Sequence, residues 1–174
     1  AMALRHGESR ESVDIDFLVS KVEGYRQLRQ RLTGPDGMRA ITRPGHALSQ
    51  TREVRADQYG IRTMLQVDGV DIKFEIVLEG RIDLEAPGPD DRQCGVATLT
   101  PLDMATSKLL ANSDRWRDDA VMSRDLIDLA MMAPPKALMT QAMAKAQGAY
   151  GDSVAADLAG AVEDLRARPH RLDR

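Results

Sequence analysis

The alternation of residues 12–19 constrains the fold more than any other stretch. Val13, Ile15, Phe17 and Val19 alternate with Ser12, Asp14, Asp16 and Leu18. In a strand, alternate side chains share a face. The apolar set is therefore expected to face a core while Asp14 and Asp16 project together on the other side. Their α-carbons would lie roughly 6.5–7 Å apart, so both carboxylates can reach one cation. The same residues also describe an amphipathic edge strand with two solvated acids, and a D-x-D by itself is a weak signal.

The rest of the 174 residues sets bounds on that strand's setting. The length suits one domain, or one compact domain with an extension. Aromatic residues make up only 3%, so a core must come from Leu, Ile, Val, Ala and the nine Met. Lys plus Arg is 24 against 27 Asp plus Glu. That balance argues against nucleic-acid binding by the whole surface and leaves room for a local basic patch. Cys94 is the single cysteine, which excludes an internal disulfide and a Cys-rich zinc site. A cytoplasmic location is expected. No apolar run approaches the roughly 20 residues of a membrane helix, and the N-terminus does not resemble a signal peptide.

Along the chain, Ala1 to His6 reads as the last turns of a helix closed by Gly7. Val22, Tyr25, Leu28 and Leu32 recur at helical spacing. Thr33-Gly34-Pro35-Asp36-Gly37 is a stop, and Met38 to Thr42 reads as a strand. Tyr59 to Val67 and Val70 to Leu78 flank Asp68-Gly69, the two-residue hairpin signal. In the second arm Val70, Ile72, Phe74, Ile76 and Leu78 share one face; Asp71, Lys73, Glu75 and Val77 share the other. Glu79 to Asp91 is turn-rich and marks a boundary. Thr100 is placed to N-cap a helix with Pro101 at its first position and Asp103 in its first turn. Leu102, Ala105 and Leu109 form the core stripe, leaving Lys108 off it. Ser123 is expected to cap a second helix, buried by Leu126, Ile127, Leu129, Ala130 and Met131 and broken at Pro134-Pro135. Two Ala-rich helices follow, about 135–147 and 154–167, then a basic tail expected to fray. The expected class is α+β, a mixed sheet flanked by helices with a C-terminal helical half. Residues 1–95 form the first half and 96–174 the helical half packing on it.

If the second hairpin arm lies beside the strand at 12–19, Glu75 sits about 5 Å from the Asp pair. Two carboxylates 4 Å apart repel by about 1 kcal/mol in water and about 4 at an effective dielectric of 20. A divalent cation reverses that sign. Magnesium takes a few carboxylates plus waters and phosphates, and metal ions can clamp the attacking and leaving oxygens of a phosphoryl transfer. The plainer alternative is that Lys73 or an arginine pairs with Glu75 on a solvated face.

Three motifs carry a resemblance. Arg10-x-Ser12-x-Asp14-x-Asp16-Phe17, the helix Thr100-Pro101-Leu102-Asp103-Met104-Ala105-Thr106-Ser107-Lys108-Leu109-Leu110, and Ser123-Arg124-Asp125-Leu126-Ile127-Asp128-Leu129 occur in family order. Together they resemble the nucleotidyltransferase toxins of the AbiEii/AbiGii type, in the polymerase-β-like nucleotidyltransferase superfamily. The resemblance implies a nucleotidyltransferase-like sheet and metal-dependent transfer of a nucleotide from an NTP to an acceptor, a tRNA end or a protein hydroxyl. It implies Mg2+ or Mn2+ held by Asp14, Asp16 and Glu75, with Ser12, Lys73 and Lys108 contacting the nucleotide and Lys108 steadying the triphosphate. Asp125 would fix Lys108 or a substrate group, with Asp128 the more structural of the two acids. A cognate antitoxin is an implied partner. From the residues alone, Lys108 also reads as a solvated lysine and Asp125 as a helix-start acid.

The family's Gly-Gly-Ser or Gly-Gly-Thr turn would stand immediately before Ala1-Met2-Ala3-Leu4-Arg5, outside these 174 residues. The N-terminally truncated polypeptide is accordingly expected to bind NTP weakly, because such turns donate backbone N–H groups to phosphates. Two other readings stay open. One is a catalytically degenerate nucleotidyltransferase fold used as a binding module. The other is a metal-dependent nuclease, against which the order Lys73-Phe74-Glu75 counts, since E-x-K is the usual order there. Arg5, Arg10, Arg26, Arg29 and Arg31 are candidates for a basic groove serving an RNA acceptor.

Overall fold

A computed structural model describes residues 5–6, 14–46 and 48–172. The chain divides into two compact units, 11–83 and the combination of 1–10 with 84–174. The first unit holds β1 (Asp14–Val19), α1 (Val22–Leu32), a 3-10 turn (Gly37–Ile41), β2 (Ser49–Ala56), β3 (Gly60–Val67) and β4 (Val70–Leu78). The sheet order is β1-β4-β3-β2. β1 runs parallel to β4, and the other pairs are antiparallel, so the expected mixed sheet is present.

The β3–β4 hairpin closes as its sequence requires. Asp68 (φ 51°) and Gly69 (φ 83°) both adopt positive φ, as a two-residue type I′ turn demands, and Val67 pairs with Val70. Tyr25, Leu32, Met38, Ile61, Leu65, Phe74 and Ile76 form the core, with Phe17, Val19, Leu28 and Val54 packed against it. Helix α1 therefore covers one face of the sheet. Its exposed Arg26, Arg29 and Arg31 lie on the helix layer, behind the sheet from Asp14 and Asp16.

Several expectations change. Met38 to Thr42 is not a strand: Gly37 at φ 51° starts the 3-10 turn, and Met38 drops into the core. A strand at Ser49–Ala56 was not expected, because this exposed edge strand lacks alternation and is interrupted by register shifts. Ile15 is 41% exposed, since it lies near the outer end of an edge strand. Val13 and most of the expected N-terminal helix fall outside the described residues; Arg5 is helical and pairs with Asp91 and Thr98.

The second unit contains a two-residue ribbon, β5 (Arg92–Gln93) with β6 (Val96–Ala97), then α2 (Pro101–Arg115), α3 (Arg124–Met132), α4 (Lys136–Tyr150) and α5 (Ser153–Ala167). Thr100 caps α2 as expected, its Oγ1 accepting from the Asp103 N–H at 3.2 Å. Asp103 does more than favour the helix start. It is fully buried, accepts from the Glu85 N–H and pairs with Lys145 of α4 at 2.5 Å.

Ser123 precedes α3 but makes no cap. Met122 and Ser123 are both left-handed (φ 50° and 58°), and the Ser123 hydroxyl accepts from Arg171 at 3.2 Å. Contrary to expectation, the tail is ordered through a 3-10 turn at Pro169–Leu172. Arg171 is buried and also reaches Asp164 and Asp119, while Arg168 pairs with the same two acids. Two consecutive left-handed non-glycine residues are costly, and these ion pairs pin the turn that contains them.

Gly160 of α5 supplies a test of packing against the single tryptophan. A Cβ there would stand 2.8 Å from Cη2 of Trp116, whose indole N–H is fixed to Asp157 at 3.1 Å. Alanine normally stabilises a helix interior by roughly 0.5–1 kcal/mol over glycine, but overpacking costs about 1–3. Gly160→Ala is expected to lower unfolding free energy in urea titrations. Gly148→Ala, where nothing lies within 4 Å of the new Cβ, is expected to raise it.

Candidate active site

The parallel β1–β4 ladder places Asp14 opposite Lys73 and Asp16 opposite Glu75. Directly paired residues share a face, so the two aspartates and Glu75 stand on the side of the sheet away from the core, as the matched alternation predicts. Both Glu75 oxygens are engaged: Arg62 Nε donates to Oε1 at 2.5 Å and Lys73 Nζ sits 2.6 Å from Oε2. Arg62 also reaches Asp57 at 3.1 Å. Asp57 in turn accepts the N–H groups of Tyr59 and Gly60, which closes the turn between β2 and β3.

These partners divide the two acids electrically. Burial pushes the Glu75 carboxyl up, but hydrogen bonds from Lys73 and Arg62 outweigh it and hold the group below its usual range. Asp16 goes the other way: burial raises it, Lys73 opposes, and the charges of Asp14 and Glu75 add to the rise. Asp16 thus sits above its usual carboxylate range and Glu75 below it. Two hard carboxylate donors on one strand face suit magnesium or manganese, which take one or two carboxylates and complete their shell with water and phosphate. Among the described residues no three His, Cys, Asp or Glu side chains form a metal-binding group. The donor set that fits a divalent ion is the Asp14–Asp16 pair, with Glu75 in ion pairs beside it. Ser12 lies outside the described residues.

The second unit joins the other sequence-derived residues into one cluster. Lys108 of α2 lies 3.1 Å from Asp125 Oδ1 and 2.7 Å from Asp128 Oδ2, both on α3. Each aspartate is only 2% exposed. Arg115 grips Asp125 with two hydrogen bonds, Nε to Oδ2 at 2.7 Å and Nη2 to Oδ1 at 3.0 Å. Lys108 and Arg115 are two helical turns apart on α2, and Asp125 and Asp128 are three residues apart on α3, so each pair shares a helix face. Burial raises the Asp125 carboxyl, and the Arg115 bonds and the Lys108 charge bring it below its usual range. Asp125 thus lies in ion-pair contact with Lys108. Asp128 holds the lysine at the shorter distance, and Arg115, absent from the sequence-derived set, completes the cluster. Its legible signal was the seven-residue spacing from Lys108. The buried side of α3 is less apolar than its sequence predicts: Met131 is 45% exposed, and the two aspartates take the inward positions.

A mixed sheet presents two aspartates on one face, and a helical unit holds a buried lysine–carboxylate cluster. The chain belongs to the family described as nucleotidyl transferase AbiEii toxin of type IV toxin–antitoxin systems, whose sequence profile matches residues 1–173. No curated protein and no solved structure matches it. Among the described residues no helix is long and apolar enough to cross a membrane.

The lowered Asp125 pKa fixes the sign of a pH effect. Its contribution to stability is present above the unfolded carboxylate pKa, near 3.9, and is lost as pH falls through the lower folded value. Asp125→Asn is expected to cost about 1.5–3 kcal/mol at neutral pH, read by chemical denaturation. The gap from wild type should shrink as pH falls through the lowered folded value.

Proposed function

We propose that this protein transfers a nucleotide from an NTP to the end of an RNA, a tRNA being the expected acceptor, with Asp14 and Asp16 holding the divalent ion the reaction needs. The observation that carries the reading is the placement of Asp14 and Asp16 on one face of the sheet, opposite Lys73 and Glu75, with Asp16 pushed up chiefly by burial. Family membership supports the toxin role and an antitoxin partner.

In the transfer, the acceptor hydroxyl oxygen bonds to the α-phosphorus, the α–β anhydride bond breaks, pyrophosphate leaves, and the hydroxyl proton passes to a carboxylate or water. A bound Mg2+ or Mn2+ supplies Lewis-acid charge to the phosphoryl oxygens. Asp14 and Asp16 supply the anionic face that holds the ion. Lys73, opposite Asp14 and anchored on Glu75, offers an ammonium to a triphosphate oxygen. A nucleotide contact by Lys108 requires its ammonium to exchange an aspartate oxygen for a phosphate oxygen.

The occupied oxygens of Glu75 favour a second reading, a degenerate nucleotidyltransferase fold that binds without catalysing. Isothermal titration with NTP and magnesium separates the two, since only the catalytic copy binds both together.

Asp14→Ala and Asp16→Ala are each expected to abolish label transfer from radioactive NTP to total tRNA, and growth inhibition with it. The thermal midpoint without magnesium should fall little, because removing one crowded acid relieves repulsion. Full growth inhibition by either variant would overturn the proposal.

A further inference from the structure

Two rows of directly paired residues cross the sheet on the face that bears the acids. Asp16 stands opposite Glu75, Glu75 opposite Arg62, and Arg62 opposite Arg55. Beside it, Asp14 stands opposite Lys73, Lys73 opposite Met64, and Met64 opposite Arg52. The acids occupy the β1 edge of one surface, and Arg52 and Arg55 occupy the β2 edge. Three strand spacings, about 14 Å, separate them.

Arg52 and Arg55 are three residues apart, so in a regular strand they would point to opposite faces. A register irregularity between them sets Glu53 and Val54 against the single residue Thr63, and Thr63 Oγ1 donates to the Arg52 carbonyl at 2.6 Å. Such a bulge re-aims side chains; here it turns both arginines to the acid-bearing face. Arg55 faces Arg62, and like charges directly opposite destabilise a ladder. Arg62 is matched by Glu75 and Asp57. Arg52 and Arg55 are exposed and have no ion-pair partner among the described residues; nor does the neighbouring Glu53.

We propose that Arg52 and Arg55 dock the phosphodiester backbone of the acceptor RNA and lay the strand across the sheet toward Asp14 and Asp16. The inference rests on the nucleotidyl-transfer reading for its direction. Charge complementarity and continuity with the acid edge select this occupant. An RNA strand brings phosphates over β2 and a terminal hydroxyl to β1, whereas an acidic protein segment would be repelled at the far end of the same rows.

The test is fluorescence anisotropy of the full chain with unfractionated tRNA and with a short single-stranded RNA, without NTP or metal, over a series of salt concentrations. Arg52→Gln/Arg55→Gln is expected to weaken binding tenfold or more and to reduce the log–log salt slope by about 1.4, some 0.7 per lost phosphate contact. Arg52→Lys/Arg55→Lys should keep most of both. If the glutamine double variant fails to fold, Arg52→Gln alone is read the same way, with half the slope change. Unchanged affinity and slope in the glutamine variant would overturn the proposal. So would equal losses in the lysine and glutamine variants, or displacement of the RNA by polyglutamate at matched charge. Arginine-dependent binding in a protein that never transfers label would leave the docking site standing and remove the transfer reading instead.

Discussion

The parallel pairing of β1 with β4 is the constraint on which the rest of the site depends. Parallel neighbours need a crossover, which α1 begins and the β2–β3–β4 meander completes. Only this pairing brings a strand from the start of the chain against Glu75, and its register decides which side chains meet. A slip of one residue would send Asp14 and Asp16 toward the core and Phe17 and Val19 to solvent. Phe17 packs against Phe74 at 5.7 Å between ring centroids, tying the register to the core. The acids are thus held in place by hydrophobic contacts on the opposite face.

The helical unit solves a different problem with the same kinds of residue. Four charged groups, Lys108, Arg115, Asp125 and Asp128, are gathered where α2 meets α3. Burying two carboxylates is tolerated only when cations and hydrogen bonds answer them. The two-pronged Arg115 contact satisfies Asp125 from one side, leaving Lys108 shared between both acids. The left-handed turn at Met122-Ser123 aims the start of α3, and the Arg171 and Arg168 ion pairs hold that turn.

Much of the fold could be read from the sequence where local signals agreed with the final packing. The β3–β4 hairpin, α1, the capped α2 and the facing of Asp14, Asp16 and Glu75 are of this kind. Elements set by distant partners could not be read so directly. β2 has no period of two because two register shifts each take up an extra residue, and Met38 mimics a strand residue while capping the core from a 3-10 turn. Ser123 has the composition of a cap, but a tail arginine claims its hydroxyl. The inward turn of Asp125 and Asp128 depends on cations supplied from α2, so a stripe drawn from apolar residues alone misplaced the buried side of α3.

The bulge in β2 has one more effect. An open sheet edge offers a row of free N–H and C=O groups on which a strand from another molecule can add. Such growth needs evenly spaced partners over several residues. Along Ser49–Ala56 the spacing is broken at two points, and charged residues flank the breaks. The irregularity beside the two arginines therefore also makes β2 a poor template for an added strand.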